Sequence, residues 1–154
     1  MKHTKRTDCE EINSILGKVK ANARAQEMKQ FMQHGSVSTF EHCESVAALS
    51  YTLNKKLRLH ANVSTLLMGA MLHDFFLYDW HKDEKNEHRL HGFRHAETAC
   101  RNAEKYFGVG SDVQHVIWCH MWPLNPLRLP RSREAWIVCF ADKCVSLYET
   151  LFRR

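Results

Sequence analysis

Two histidines and two aspartates stand where such side chains are costly. His73 and Asp74 close the apolar stretch LLMGAMLHD, and Asp142 interrupts another, WIVCFADKCV, while His42 lies upstream in FEHCESVAALS. A charge in such surroundings is unfavourable unless it is paired or meets a cation. An ionised carboxylate beside a neutral imidazole suits a divalent metal, which accepts both ligand types. The chain is rich in the commonest such ligand, with 11 histidines. Taken singly, His42 also fits a hydrogen-bonded core residue, and Asp142 a structural ion pair with an arginine. Taken together, four nitrogen and oxygen donors from three helices could converge on one ion.

Helices are needed to place these donors. Ala, Leu and Met outnumber Val and Ile, which favours helix over strand. No period-2 run, hairpin dipeptide, repeat or low-complexity tract stands out. A first helix is expected over 8–32, with Ile12, Ile15, Leu16 and Val19 as its stripe and His34-Gly35-Ser36 as its stop. Ser38 or Thr39 caps the next, which runs to about Leu57 with His42 on the side of Val46, Leu49 and Leu53. Residues 62–76 make a helix apolar nearly all round, hence central and buried. A polar loop at 79–90 leads to a helix over 93–107. Ser111 caps another, to about Met121. Pro123, Pro126 and Pro130 then impose a non-helical crossover. The last helix starts near Ser132, with Trp136, Val138, Cys139, Phe140, Val145 and Leu147 as its apolar residues. The expected architecture is all-α, a bundle of about six helices.

Composition bounds the function. At 154 residues, 44% hydrophobic and 25% charged, the chain is one ordinary globular domain. A net charge of +5 permits anionic ligands without demanding nucleic acid, and the basic residues are scattered, so nucleic-acid binding is the weakest candidate. No apolar run reaches the roughly 18 residues of a membrane span, and Met1 to Glu11 lack the apolar core of a signal peptide. The six cysteines include no C-x2-C pair, which argues against a zinc ribbon; reduced, mostly buried thiols and a cytoplasmic location are expected.

The order His, His-Asp, Asp on consecutive helices resembles the HD-domain metal-dependent phosphohydrolase superfamily. FEHCESVAALS, LLMGAMLHDFFLYDW and VCFADKCVS carry the resemblance, over roughly residues 33 to 150. It implies an HD-domain bundle over 33–154, with 1–32 as an N-terminal helix of the same domain or an appendage. It implies a divalent metal site of His42, His73, Asp74 and Asp142, and hydrolysis of phosphoesters by a metal-activated water. His95, opening HAETACRNA, and His120, in IWCHMWPLNP, look like the second-metal histidines of some members, with Asp74 as the bridge. His91 precedes His95 and could replace it or approach the substrate. Gly92 favours a helix start after His91, and so favours His95. His120 alternatively fits a helix-end ring stacked on Trp122. The longer glycine- and proline-bearing signature of the HD-type cyclic dinucleotide phosphodiesterases is missing, and small stand-alone HD hydrolases are the nearest likeness.

The implied cofactor is one or two divalent ions per chain, Mn, Fe, Co, Ni or Zn. The implied substrate is a small phosphorylated compound: a phosphomonoester, a nucleotide or a phosphodiester. Asp74 is the catalytic candidate that orients or deprotonates the nucleophile. Lys143, the other catalytic candidate, about 100° around the helix from Asp142, contacts phosphate, pairs with an acid behind the site or stays solvated. Arg128, Arg131 and Arg133 flank the proline segment and either offer forks to phosphate or only solubilise it. Phe75, Phe76, Tyr78, Trp80, Phe93 and Trp122 are expected pocket walls. Two other functions fit the same ligands: a non-catalytic nucleotide-binding or regulatory module, and a di-iron oxygenase. The first helix either mediates a homodimer or caps the bundle.

Overall fold

The computed structural model describes residues 2–79 and 91–153, and within them all side chains but those of 2–7, 34 and 91–93. The expected polar loop from residue 80 to 90, Trp80 included, and the side chains of His91 and Phe93 therefore lie outside the described residues. Seven α-helices and one short strand pair form the described part: α1 (Lys2–Ala21), α2 (Ala23–Glu27), β1 (Met32–His34), β2 (Val37–Ser38), α3 (Thr39–Lys56), α4 (Val63–Leu72), α5 (His91–Phe107), α6 (Ser111–Cys119) and α7 (Arg133–Phe152). Among them, no helix is long and apolar enough to cross a membrane.

The single helix expected over 8–32 is instead three pieces and half a hairpin. Asn22 leaves the helix and caps α2, its side chain accepting from the Arg24 amide at 2.8 Å. Asparagine bonds its own neighbouring backbone readily, which makes it a better cap than a helix interior residue. A 3-10 turn over Met28–Gln30 follows. Then β1 pairs antiparallel with β2 across Gly35, whose φ of 57° suits glycine. Leu16 and Val19 of α1 and Met28 sit in one buried cluster with the helices of the bundle. The Tyr51 hydroxyl lies 2.7 Å from Asp8 and 2.6 Å from Glu11, and Lys55 lies 3.3 Å from Glu11.

Ser38 starts α3 with a reciprocal cap. Its hydroxyl accepts from the Glu41 amide at 3.3 Å, and Glu41 Oε2 accepts from the Ser38 amide at 3.0 Å. Such a cap contributes about 1 kcal/mol. The turn to α4 is clamped by Asn54, which bonds both the carbonyl and the amide of Ala61. Asn62 caps α4 through the Thr65 amide at 2.9 Å.

Helix α4 is the centre of the bundle, packed on by α3, α6, α7 and α1. Its Gly69 lets α6 approach closely: a Cβ there would stand 2.5 Å from Val116 Cγ1. The helix is shorter than expected and ends at Leu72. His73 is its cap, Phe75 and Phe76 follow in tight turns, and Leu77 takes a φ of 58°. This exit turns His73 and Asp74 inward while Phe75 stays in the core.

Two boundaries differ slightly from expectation. Helix α5 begins at His91, before Gly92 rather than after it, and Gly110 rather than Ser111 is the N-cap of α6. Ser132 caps α7, accepting from the Ala135 amide at 3.1 Å. The buried face of α7 includes Ala135, Val138, Ala141, Asp142, Val145 and Glu149, whereas Trp136, Phe140 and Leu147, also apolar, are exposed. All six cysteines are free; Cys43, Cys119 and Cys139 are buried and Cys9 is exposed.

Candidate metal centre

Five helices each deliver donors to one buried volume. His42 comes from the first turns of α3, His73 and Asp74 from the end of α4, and His95 from the start of α5. His120 caps the end of α6 and Asp142 lies midway along α7. None is more than 8% exposed. Asp142 Oδ1 lies 3.2 Å from His42 Nε2 and 3.7 Å from His73 Nε2. Asp74 Oδ2 lies 3.4 Å from His73 Nε2, and Asp74 Oδ1 lies 3.2 Å from His95 Nε2 and 3.6 Å from His120 Nε2. Asp74 thus sits between two histidine groups.

The other ring nitrogens fix what these Nε2 atoms can do. His73 Nδ1 is 2.7 Å from the Ala70 carbonyl and His120 Nδ1 is 2.7 Å from the Ile117 carbonyl. A carbonyl only accepts, so each Nδ1 carries the proton and donates. His42 Nδ1 donates likewise to Glu149 Oε2 at 2.8 Å. In the neutral rings all three Nε2 atoms therefore present lone pairs to the same volume. These lone pairs face carboxylate oxygens, and His95 Nε2 meets His120 Nε2 at 2.9 Å. Lone pairs converging on carboxylates repel unless a cation or a proton stands among them. His73 Nε2 and Asp74 Oδ1 are also buried with no hydrogen-bond partner, which is expensive in a protein interior.

This arrangement could hold a metal ion, and the donor set fits one. His42, His73 and Asp142 form one group whose ligand atoms all lie within 4.8 Å of one another, and His73, Asp74 and His120 form another. Histidines that bind metal through Nε2 ordinarily donate Nδ1–H to a carbonyl or carboxylate, as these three do.

Without an ion, protons take up the imbalance. Burial disfavours a charged His42, yet Asp142 and Glu149 together raise it to about 10. Burial likewise opposes a charged His73, but Asp74, Cys43 and Asp142 together hold it well above its ordinary value. Burial opposes ionisation of both aspartates too. His73 first, and then His95, keep Asp74 ionised well below its ordinary range. His42 and His73 do the same for Asp142. His120 goes the other way, pushed down to about 3 by burial and by repulsion from His73 and His95, and keeps its lone pair.

Two contributors were not expected. Glu149 is buried behind His42 and orients it. Gln33, on β1, donates from Nε2 to Asp74 Oδ2 at 2.6 Å and is itself held by Thr39 Oγ1 at 3.3 Å. Replacing Glu149 by Gln is expected to weaken metal affinity about 10–100-fold, as changes behind a ligand do, with little change in helix content. Titration calorimetry beside circular dichroism checks this; unchanged affinity would leave Glu149 a structural residue only.

The centre opens into a cavity of about 540 Å³. Asp74, His95, His120 and Asp142 lie at its polar end. Gln33, Lys143 and Ser146 add polar wall, and Met121, Pro123 and Leu124 form an apolar lip. Lys143 Nζ donates to the carbonyls of His120 (2.9 Å) and Cys139 (3.2 Å), so it reaches the rim despite diverging from Asp142. Arg128 and Arg131 are not among the lining residues. The Arg128 guanidinium lies 3.6 Å over the Trp118 ring, and the Arg131 amide donates to His115. Arg133 bonds the carbonyls of Leu59 and His60. The aromatics expected as walls are elsewhere too. Phe75 packs on Tyr106 and Phe107, Phe76 stands edge-on behind His95 and against Tyr78, and Trp122 packs on Trp136 rather than on His120.

Compared with known families, residues 39–147 match the model described as HD domain. That range holds all six donors and stops just short of Gln33 on one side and Glu149 on the other. No curated protein and no solved structure matches the chain significantly.

Proposed function

Since the chain belongs to the HD-domain family, whose members are generally metal-dependent hydrolases, we propose that it is a metal-dependent phosphohydrolase acting on a small phosphorylated substrate. The observation that carries this reading is the set of buried Nε2 lone pairs facing Asp74 and Asp142, with His73 Nε2 and Asp74 Oδ1 left unpartnered. His42, His73, Asp74 and Asp142 would hold one divalent ion; Asp74, His95 and His120 would hold a second. A divalent ion in such a site lowers the pKa of bound water and neutralises charge on phosphoryl oxygens.

The chain's own residues supply the rest. Asp74, held by Gln33 at Oδ2, orients the attacking water and accepts its proton at a carboxylate oxygen. Lys143 stands on the cavity wall, close enough to turn from its carbonyls to an entering phosphate. The lip of Met121, Pro123 and Leu124 shields the polar end from bulk water and covers the leaving group's apolar part. The cavity volume suits a phosphomonoester or mononucleotide better than a polymer.

Elemental analysis of protein purified without tag or chelator, followed by phosphate release from nucleotides and simple esters with Mn, Fe, Co, Ni and Zn, tests the proposal. Nucleotide affinity with no phosphate release under any metal would replace it with a binding module. A visible iron band with oxygen consumption would replace it with an oxygenase. Replacing Lys143 by Ala is expected to lower kcat/KM by about 10–100-fold, the worth of one bond to a charged group, while bound metal stays constant. An unaltered kcat/KM would return Lys143 to a solvated role.

A further inference from the structure

Gln33 reaches the metal centre from a part of the fold that the family match does not cover, since the matched range begins at residue 39. Side chains alternate along a strand, and on β1 Met32 is exposed while Gln33 lines the cavity. The hairpin that carries it is tied at both ends. The Thr39 amide donates to the Phe31 carbonyl at 2.8 Å. The Ser36 amide and hydroxyl both donate to the Arg153 carbonyl, at 3.3 and 3.2 Å. Gln33 is thus placed before any ligand arrives, which spares the cost of ordering it on binding.

The amide has one orientation. Turned over, its oxygen would face the Asp74 carboxylate at 2.6 Å, acceptor against acceptor; as it stands, Nε2 donates to Asp74 Oδ2 and Oε1 accepts from Thr39 Oγ1. A carboxamide nitrogen carries two hydrogens, and Asp74 takes one. The second meets no acceptor among the described residues. The rest of the polar wall is committed. Ser146 gives its single hydroxyl proton to Asp142 Oδ1, and the Lys143 ammonium is spent on the His120 and Cys139 carbonyls and the Cys139 sulfur. Lys143 must turn to meet an anion, whereas Gln33 need not move. We infer that Gln33 is a substrate-binding residue, whose second Nε2–H donates to an oxygen of the phosphoryl group. The chemistry of this ligand rests on the phosphohydrolase reading above. An anion drawn to ions shared by Asp74 arrives beside the nitrogen that is bonded to Asp74. A neutral donor there grips the anion without repelling the ions, as a second lysine would.

Calorimetric titration of inorganic phosphate into metal-saturated full chain tests this, for the wild type, Gln33→Leu and Gln33→Glu. Leucine removes the donor, and glutamate keeps the length but turns the donor into an acceptor. Phosphate affinity is expected to fall by about 10–100-fold in Gln33→Leu, the worth of one bond to a charged group, and further in Gln33→Glu, where like charges meet. Bound metal at saturation is expected to match the wild type in both. In turnover, KM for a phosphomonoester is expected to rise in step with the lost phosphate affinity. Unaltered phosphate affinity with a lowered kcat would leave Gln33 a holder of Asp74 only; that overturns the inference and leaves the phosphohydrolase reading standing. A wild type that binds phosphate through Gln33 yet releases none from any ester would overturn that reading and leave the inference in place. A wild type that binds no phosphate would overturn the inference. If Gln33→Leu does not fold by circular dichroism, Gln33→Glu decides alone.

Discussion

Asp74→Ala is expected to abolish both bound metal and turnover. Asp74 Oδ1 faces His95 and His120 while Oδ2 faces His73 and Gln33, so one truncation takes a donor from each group. A metal supplies several kcal/mol of transition-state stabilisation, and each 1.36 kcal/mol is tenfold in rate, so turnover should fall by at least about 10³-fold. Truncating Asp74 also takes away the charge that faces the raised His73, so the melting temperature should fall, and the melt shows whether the variant is folded. Metal analysis of the purified variant, activity under added metal and a thermal melt give the three readouts. A variant that folds, binds two ions and turns over at the parental rate would end the proposed mechanism.

Metal removal should be nearly as large an effect on stability as Asp74→Ala is on activity. An ion present at about a thousand times its dissociation constant adds roughly 4 kcal/mol, which for a chain of this size shifts the melting temperature by about 8–16 °C. The metal-free protein should also respond to pH in a way the loaded protein does not. His42 between Asp142 and Glu149 is raised from 6.5 to about 10, so its contribution is complete below 6.5 and is lost as the pH climbs through about 10. His73 is raised too and adds loss in the same direction. Asp74 and Asp142 are depressed, so their contributions hold above 3.8 and vanish on acidification below it. In chelator, the melting temperature should therefore decline steadily from near neutrality into the alkaline range. With metal replacing those protons, that decline should flatten, and binding at neutral pH should release protons. Identical alkaline profiles with and without metal would show that the ion does not occupy these donors.

The part of the site visible in the sequence was the part that conflicts with its surroundings. His73, Asp74 and Asp142 are conspicuous because apolar helices surround them, and His42 because it shares a side with Val46 and Leu53. His95 and His120 carry no such contrast and were legible only through the family pattern. Glu149 stands in a terminal turn between Tyr148 and Thr150 and reads as solvated; its spacing of two turns from Asp142 was the signal available. Gln33 had none, because its role depends on a hairpin that exists only through pairing of 32–34 with 37–38. The same limit explains the α1 region. Propensity favours helix through Met32, but a strand partner and the Asn22 cap override it. On α7 both faces are apolar, so periodicity alone could not say which one the core takes. The arginines near the prolines were close in sequence to His120, yet Arg128 lies over the Trp118 ring of α6 and is not among the residues that line the cavity.

Distributing six donors over five helices also sets an order of events in the life of the molecule. His42 and Asp142 lie at opposite ends of the matched domain, and bringing such distant segments together costs chain entropy that no local structure repays. No single helix owns a complete group: His42, His73 and Asp142 come from three helices, and His73, Asp74 and His120 from two. A nascent chain that lacks α7 thus cannot complete the group of His42, His73 and Asp142. On the proposed function, activity would arrive last, once the five donor-bearing helices have docked, and the centre would act as a built-in check on their assembly.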